Sequence, residues 1–278
     1  MWLVARDVYG MLSTNYKALI RDILKWYTTN RRDLPWRHTR DPYKILVSEI
    51  MLQQTQVDRV VPKYHAFLKR FPKVEKLARA KTSSVIKEWA GLGYNRRALY
   101  LQRAAQKVML DYGGEFPRLK HELKKLPGVG EYTARAILCF AFGEPVAMLD
   151  TNHRKVYRHV FFRGKEMSDV ELLKRADRLV AQLPQTTVYD WNQALMDYGA
   201  TLKIQETRYK KQKRIPFKQT DRYYRGRIVD LLRENDAVPR RHIEQRFDDI
   251  PRVRLHRIIG QLKKDQLIVS SGATLCLP

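Results

Sequence analysis

Two acidic residues lie in sequence surroundings that indicate chemistry. Glu49 stands inside the apolar run Ile45-Leu46-Val47-Ser48-Glu49-Ile50-Met51-Leu52, where an unpaired carboxylate would be costly and the protonated form is favoured. Asp150 follows the apolar run Ala147-Met148-Leu149 and opens a predicted helix, whose first N–H groups favour an ionised carboxylate. We therefore expect one protonated and one ionised carboxyl group, a combination typical of acid–base catalysis.

Each acid also has a purely structural interpretation. Asp150 can serve as the N-cap of its helix, where it accepts a hydrogen bond from the third helical residue, and this role is compatible with catalysis. Glu49 can form a salt bridge with Arg37 or Arg40. Against this second interpretation, a buried acid without a task is rare.

The residues that follow Glu49 are suited to contact with nucleic-acid bases. Gln53, Gln54 and Gln56 are too polar for a core. Their amides can hydrogen-bond to bases or fill the gap left by an extruded base.

A second motif, Leu126-Pro127-Gly128-Val129-Gly130, predicts a tight turn between a helix over 118–125 and an apolar helix over 136–142. Glycines permit positive φ and a close approach to a ligand, and the N–H groups at the following helix start suit a phosphate oxygen. This pattern predicts a helix-hairpin-helix that holds the DNA backbone without identifying bases. The alternative is an ordinary turn between two helices.

The charge of the chain favours a polyanionic partner. Its 278 residues contain 54 Lys and Arg against 29 Asp and Glu, a formal net charge of +25, which favours nucleic acid, with a membrane surface as the rival. Arg154 and Lys155, just after Asp150, could meet phosphate or form a solvated basic face.

No stretch reaches the roughly 18 apolar residues of a membrane span, and Asp7 is an acid where a signal peptide needs an apolar run. We expect a soluble protein that is not secreted and works where the DNA is, in the cytoplasm and nucleoid if the source is prokaryotic.

The cysteines limit the cofactors that the chain can hold. Cys139 and Cys276 are its two cysteines, too few for a disulfide framework or a cysteine-ligated metal site. We therefore expect ordinary side chains to carry the chemistry, with no metal.

Helical periodicity dominates the elements that must position these residues. Apolar residues recur at helical spacing from Ser13 to about Leu202, and this pattern predicts an all-α body over 1–207. Ser13 or Thr14 is the candidate N-cap of the first helix. A basic linker is predicted over 208–222.

The last part of the chain, 223–278, has the order of a winged-helix-like DNA-binding module. Three helices, over 223–235, 239–247 and 252–264, precede two β-prone runs around a Ser-Gly turn. The third helix would present Arg252, Arg254, His256 and Arg257 to the DNA major groove, so we expect Arg254 and Arg257 to bind DNA. A small packing domain with a solvated basic face is the alternative.

Five ordered motifs between about Asp33 and Gly199 together resemble the helix-hairpin-helix DNA glycosylase superfamily, most closely its MutY-type adenine glycosylase branch. These motifs are Leu34-Pro35-Trp36-Arg37 with Arg40-Asp41-Pro42-Tyr43, Ser48 to Val57, Gly91-Leu92-Gly93-Tyr94, Leu126 to Gly130, and Leu149-Asp150-Thr151-Asn152. The resemblance implies a DNA glycosylase of base excision repair. Its partner would be double-stranded DNA with a mismatch or lesion, and we expect the protein to be a monomer.

The resemblance also assigns roles to individual residues. It makes Glu49 the general acid and Asp150 the anion beside the sugar. Tyr132 stands where glycosylases with lyase activity carry a Schiff-base lysine, which implies a monofunctional enzyme. Tyr132 and Asn152 match residues that line the active site of the adenine branch. Contact with DNA is expected from Gln53, Gln54, Tyr94, Arg37, Gly128 and Gly130, of which Gln54 and Tyr94 match residues that wedge into the DNA stack.

Two departures from the family pattern bear on cofactor and substrate. Relatives usually carry a four-cysteine iron–sulfur loop after the segment that matches Met196 to Ala200, and none follows here, so the chain resembles a clusterless member. The resemblance is compatible with one bound ion, a monovalent cation at the hairpin 126–130. Residues 223–278 also differ from the larger Nudix-like domain with which the adenine branch usually ends and which inspects 8-oxoguanine, so the choice between guanine and 8-oxoguanine as the opposite base stays open.

The substrate base has more than one interpretation. A tyrosine at position 132 also occurs in thymine and uracil mismatch glycosylases, and the run Gln53-Gln54-Thr55-Gln56 favours adenine. The alternatives are a thymine or uracil mismatch glycosylase, acting on G:T or G:U pairs, and a non-catalytic DNA-binding protein.

Overall fold

The computed structural model describes residues 14–203 and 215–278, so Ser13 and residues 208–214 of the predicted linker lie outside the described residues. Two compact units contain them, one formed by residues 14–45 and 130–203 and the other by residues 46–129 and 215–278. Helices predominate in both units, which confirms the predicted all-α body. Within the described ranges, no helix is both long and apolar enough to cross a membrane.

The first unit consists of helices around an aromatic core. Trp191 and Tyr157 are fully buried, and the indole Nε1 of Trp191 donates to the Tyr157 hydroxyl at 3.3 Å. The Ser168 hydroxyl accepts a hydrogen bond from the Glu171 N–H, and this N-cap explains why the helix Asp169–Val180 begins where it does. The helices are α1 (Thr14–Asn30), the beginning of α2 (Pro42–Leu52), α8 (Glu131–Phe142), α9 (Thr151–Lys155), α10 (Asp169–Val180) and α11 (Gln185–Thr201), with a 3-10 turn at Pro35–His38 and a π-helical turn at Val156–Phe161.

The second unit contains the larger part of α2 and the helices up to the hairpin. Its core includes the fully buried Trp89 and Phe67, whose ring centroids lie 6.0 Å apart. Gly113 follows the helix Arg96–Tyr112 and ends it in the left-handed conformation, as a C-terminal glycine commonly does. The helices are α3 (Val57–Arg70), α4 (Val74–Ala78), α5 (Thr82–Glu88), α6 (Arg96–Tyr112) and α7 (Lys120–Leu123).

Residues 221–278, called the C-terminal module below, have winged-helix order within the same unit. The elements are α12 (Asp221–Glu234), β1 (Val238–Pro239), α13 (Arg240–Arg246), α14 (Arg252–Lys264), β2 (Val269–Ser271) and β3 (Thr274–Cys276). The strands form an antiparallel sheet of order β1-β3-β2, in which Val238 pairs with Leu275 and Ser270 pairs with Leu275 from the other side. The winged-helix-like arrangement is therefore confirmed. The sequence did not predict β1, because two residues ending in proline carry no strand periodicity.

Candidate active site

Glu49 lies in α2 and is 6% exposed, between two buried neighbours, Ser48 and Ile50. Apolar residues predominate on this helix, so its carboxyl group is removed from bulk water, as the sequence predicted. Two residues beyond the end of α2 the chain reaches Gln54.

Gln54 and Tyr94 share an uncommon backbone conformation. Their φ angles are 55° and 45°, in the left-handed region that residues other than glycine rarely adopt. Tyr94 is also 38% exposed, which is high for a ring of its size. Strain of about 1–3 kcal/mol per residue persists where the surroundings impose it, often at functional sites.

Arg97 connects the chain segments that carry these two residues, and no sequence pattern singled it out. It is 7% exposed and lies in α6. Its guanidinium donates to the end of α2 and to both turns: Ile50 O 2.8 Å, Met51 O 2.8 Å, Gln53 O 2.6 Å, Thr55 Oγ1 2.9 Å, Leu92 O 3.0 Å and Gly93 O 3.2 Å. Burial lowers the pKa of Arg97 to about 10, so the group keeps its charge at neutral pH. The one available signal was an arginine beside the apolar pair Ala98-Leu99 in a helix.

The hairpin turn, residues 126–130, places its two glycines in different conformations. Gly128 has a φ of +81°, and a Cβ there would lie 3.0 Å from Tyr100 Cβ and 3.4 Å from Ile50 Cδ1, so glycine is required. Gly130 is the N-cap of α8 with a φ of −93°, so the expected positive φ is found at Gly128 and not at Gly130. The Gln53 amide donates to Gly128 O at 3.4 Å, which joins the first glutamine to the turn.

Asp150 is the N-cap of α9, as the sequence predicted. Its Oδ1 accepts from the His153 backbone N–H at 2.7 Å and lies 2.6 Å from His153 Nδ1. Burial alone would raise the pKa of this carboxyl, but the His153 ring and the N–H groups of Asn152 and His153 hold the pKa below its usual value. Asp150 is therefore an anion at neutral pH.

His153 is a site residue that sequence reasoning missed. The ring is fully buried and its Nε2 has no hydrogen-bond partner among the described residues. Because an ionised carboxylate can only accept, Nδ1 carries the proton and donates to Asp150. The spacing Asp150-Thr151-Asn152-His153 was the signal available, since positions i and i+3 share a helix face.

Tyr132 and Asn152 both lie against α11. The Tyr132 hydroxyl is 3.9 Å from Met196 Sδ, and a Cβ on Gly199 would lie 2.5 Å from Asn152 O. Met196 and Gly199 are three positions apart and so occupy one face of α11. Within the first unit, this face places the predicted tyrosine and asparagine on a common support.

An ion pair fixes the extended segment that leads to Asp150. Asp177 Oδ1 accepts from Arg135 Nη1 at 2.7 Å and from the Ala147 N–H at 3.0 Å, and Arg135 donates to Ala147 O at 3.1 Å. The backbone N–H and C=O groups of Ala147, three positions before Asp150, are thereby both held by hydrogen bonds.

Several of the basic residues expected at DNA are engaged in ion pairs. Arg37 is largely buried and binds Asp197 at 2.7 Å, which gives it a structural role within its unit. Arg154 binds Asp169 at 2.7 Å, while Lys155 is half-buried.

The two arginines expected in the major groove share a partner. Arg254 and Arg257 bind Asp221 at 2.8 and 2.9 Å, so α14 directs both side chains toward the start of α12.

No group of three or more His, Cys, Asp or Glu residues suited to a metal ion occurs in residues 14–203 and 215–278. Cys139 is a buried free thiol whose pKa burial raises to about 12, so it stays protonated. The cation at the hairpin 126–130 stays a prediction.

The chain is similar to known proteins over most of its length. Residues 47–182 match the family model described as HhH-GPD superfamily base excision DNA repair protein. An adenine DNA glycosylase of Mycolicibacterium smegmatis is 36% identical over 237 residues, 77% of this chain and 80% of the relative. A thymine/uracil-DNA glycosylase of Methanothermobacter thermautotrophicus is 37% identical over 190 residues, 67% of this chain and 85% of the relative.

A solved structure gives the same result. The structure of a thermostable thymine-DNA glycosylase is 35% identical, superposes with a TM-score of 0.63, and covers 69% of this chain and 89% of that one. With the hairpin, the capped aspartate and the buried glutamate in place, these similarities show that the chain belongs to the helix-hairpin-helix superfamily of base excision DNA repair glycosylases.

Proposed function

We propose that this protein is a monofunctional DNA glycosylase that hydrolyses the N-glycosidic bond of an adenine mispaired with guanine or 8-oxoguanine. The observation that carries the proposal is the contrast between two acids, Glu49 enclosed in an apolar helix and Asp150 held as an anion by His153. Pairs of carboxyl groups in opposed environments are the usual basis of acid and anion roles in one reaction. The similarity to the adenine glycosylase of M. smegmatis supports adenine as the base.

Chemistry on a base begins with its removal from the duplex. Extrusion costs a few kcal/mol, and less at a mismatch because less pairing is lost. Tyr94, exposed on a strained turn, and Gln54, in the same conformation, would fill the vacated space. The hairpin turn would hold the phosphates of the displaced strand through the N–H groups at the start of α8.

Bond cleavage then uses the two acids in turn. Adenine leaves poorly as an anion, so Glu49 delivers a proton to a ring nitrogen, N7, while the bond from N9 to the sugar C1′ breaks. The sugar becomes an oxocarbenium-like cation, which the fixed charge of Asp150 stabilises. Water adds to C1′ and passes a proton to the Glu49 carboxylate, which restores the acid and leaves an abasic site and free adenine.

Tyr132 and Asn152 would orient the reacting groups from their support on α11. A tyrosine cannot form the Schiff base through which lysine-bearing glycosylases cut the strand, so base release is the single reaction. Two cysteines cannot supply four thiolates, so we propose that the enzyme works without an iron–sulfur cluster.

The test is a panel of duplexes that carry A:G, A:8-oxoguanine, G:T and G:U pairs, with the released base identified by mass. Free adenine from the first two duplexes is expected. Glu49→Gln should abolish release and keep mismatch binding, because the amide preserves shape but cannot donate the proton required. Release at a near wild-type rate by this variant would overturn the assignment of Glu49.

One alternative substrate is favoured by a specific observation. The thymine/uracil glycosylase of M. thermautotrophicus is 37% identical, and the thymine-DNA glycosylase structure has a TM-score of 0.63. A pyrimidine leaving group needs less protonation, so in this case Glu49→Gln would retain more activity. Release of thymine or uracil and no adenine from the panel would establish this alternative, and binding without any release would indicate a non-catalytic protein.

A further inference from the structure

The C-terminal module packs directly on the helices that flank Tyr94. Ile86 of α5 and Leu99 of α6 belong to the same hydrophobic cluster as the buried residues of the module, among them Ile228 and Leu232 of α12. At the chain end, Pro278 O accepts from the Ser83 N–H at 2.7 Å. The module therefore has a fixed position relative to residues 91–95, called the Tyr94 loop.

Two arginines of α12 contact the Tyr94 loop. The guanidinium carbon of Arg222 lies 3.7 Å from the Tyr94 ring centroid, well within the range of a cation–π contact. About three turns further along the same face of α12, Arg233 donates to Asn95 Oδ1 at 2.9 Å and to Ile86 O at 3.0 Å. The loop is held at two consecutive residues by one helix.

The ion pairs of α14 fix the end of α12 that carries Arg222. Asp221 accepts from Arg254 and Arg257, and the Arg254 guanidinium holds the pKa of the Asp221 carboxyl below its usual value. Thr220 caps the same helix by accepting from the Tyr223 N–H. Arg254 and Arg257, which the sequence predicted to contact the DNA major groove, thus hold Asp221, the residue next to Arg222.

We propose that the C-terminal module is a positioning element for the DNA-inserting tyrosine, with Arg222 as the residue that orients the Tyr94 ring. The proposal rests on the proposed function, because it takes Tyr94 as the side chain that enters the base stack. Arg97 also contacts this loop, and its guanidinium carbon lies 5.6 Å from the Tyr94 ring centroid. Arg97 fixes the backbone of the loop, and Arg222 fixes the ring.

The test is a double-mutant cycle between Arg222→Ala and Tyr94→Ala in the full chain. The readouts are the single-turnover rate of base release and the fluorescence of 2-aminopurine placed beside the target base, which reports unstacking separately from release. Arg222→Ala should lower both by about two- to fivefold, the equivalent of one exposed cation–π contact. In the Tyr94→Ala background the same substitution should change neither, because its target is absent.

Two further variants separate positioning from simple charge. Arg241→Ala removes one exposed positive charge from α13 of the same module and should leave both readouts unchanged. Arg222→Lys keeps the charge without the planar group, and should lower the unstacking signal as Arg222→Ala does, while the salt dependence of binding stays that of the wild type. Thermal unfolding of each variant should match the wild type, since Arg222 is exposed.

Each contrary result has a distinct meaning. An equal effect of Arg222→Ala with and without Tyr94, together with a smaller salt slope, would make Arg222 a phosphate contact and overturn the proposal. Normal unstacking by Arg222→Ala would overturn it as well. If Tyr94→Ala itself unstacks and releases normally, the insertion role of Tyr94 fails and the positioning role fails with it, while the chemistry assigned to Glu49 and Asp150 is unaffected.

Discussion

The Oδ1 atom of Asp150 lies 2.6 Å from Nδ1 of His153, whose imidazole ring is fully buried. This contact gives Asp150 a partner from its own helix in addition to the backbone N–H groups of the first turn. The carboxylate is thereby kept both ionised and fixed in orientation, the two properties that an anion beside a developing cation requires.

Asp150→Asn should lower the rate of base release by about 10²- to 10³-fold, the usual effect of removing one preorganised electrostatic group. Asparagine is also a good N-cap, so α9 should still form. Single-turnover release and mismatch binding by gel shift measure the two effects. Loss of binding with a normal release rate per bound complex would return Asp150 to a capping role alone.

The contribution of Asp150 to stability should depend on pH. Because its pKa is lower in the folded protein than the unfolded value of 3.8, its contribution is complete above that value and is lost as the pH falls through the folded pKa. Urea unfolding of the wild type and of Asp150→Asn should therefore differ at about pH 5, and the difference should shrink as the pH falls below 3.8. A difference that is constant over this range would contradict the assignment.

Gly199→Ala should destabilise the protein because its Cβ would lie 2.5 Å from Asn152 O, a backbone atom that can give way only if the chain itself shifts. We expect a loss of about 1–3 kcal/mol in the free energy of unfolding, together with slower base release, since the chain at Asn152 must shift.

Gly260→Ala is the matched control for this substitution. A Cβ at Gly260 of α14 meets nothing within 4 Å, so this change should stabilise the helix by about 0.5–1 kcal/mol. Denaturant unfolding measures both variants. Equal effects of the two substitutions would show that the approach of α11 to Asn152 is not tight.

Arg97→Met should cost about 2–5 kcal/mol of stability, because it leaves buried carbonyl oxygens at the end of α2 without a donor. Lys107→Met on the same helix removes an ion pair with Asp111 and should change stability by less than about 0.5 kcal/mol. If urea midpoints are the same for both variants, the hydrogen bonds of Arg97 do not hold the two turns.

DNA affinity should fall steeply with salt. With a formal charge of +25, the protein is expected to neutralise several phosphates, so the dissociation constant should rise by orders of magnitude between about 50 and 200 mM salt. Fluorescence anisotropy with a labelled duplex measures the slope. Affinity that does not change with salt would contradict the electrostatic interpretation.

Local features of the site could be predicted from the sequence because they depend on residues within a few positions of each other. The helix over Arg252–Lys264, the cap at Asp150 and the positive φ at Gly128 each follow from short-range patterns of apolar, capping and glycine residues. The buried position of Glu49 followed from its apolar neighbours in the same way.

Contacts between distant residues were decided only by the tertiary structure. Arg97 holds Gln53 across 44 positions, and Arg233 holds Asn95 across 138. Arg254, predicted to meet DNA, binds Asp221, 33 positions away, a contact that no sequence pattern indicated. A helix pattern shows which face of a helix is polar, but it does not show which other element that face will meet. The partner of a charged side chain is therefore set by the packing of helices, a property of the whole chain and not of any segment.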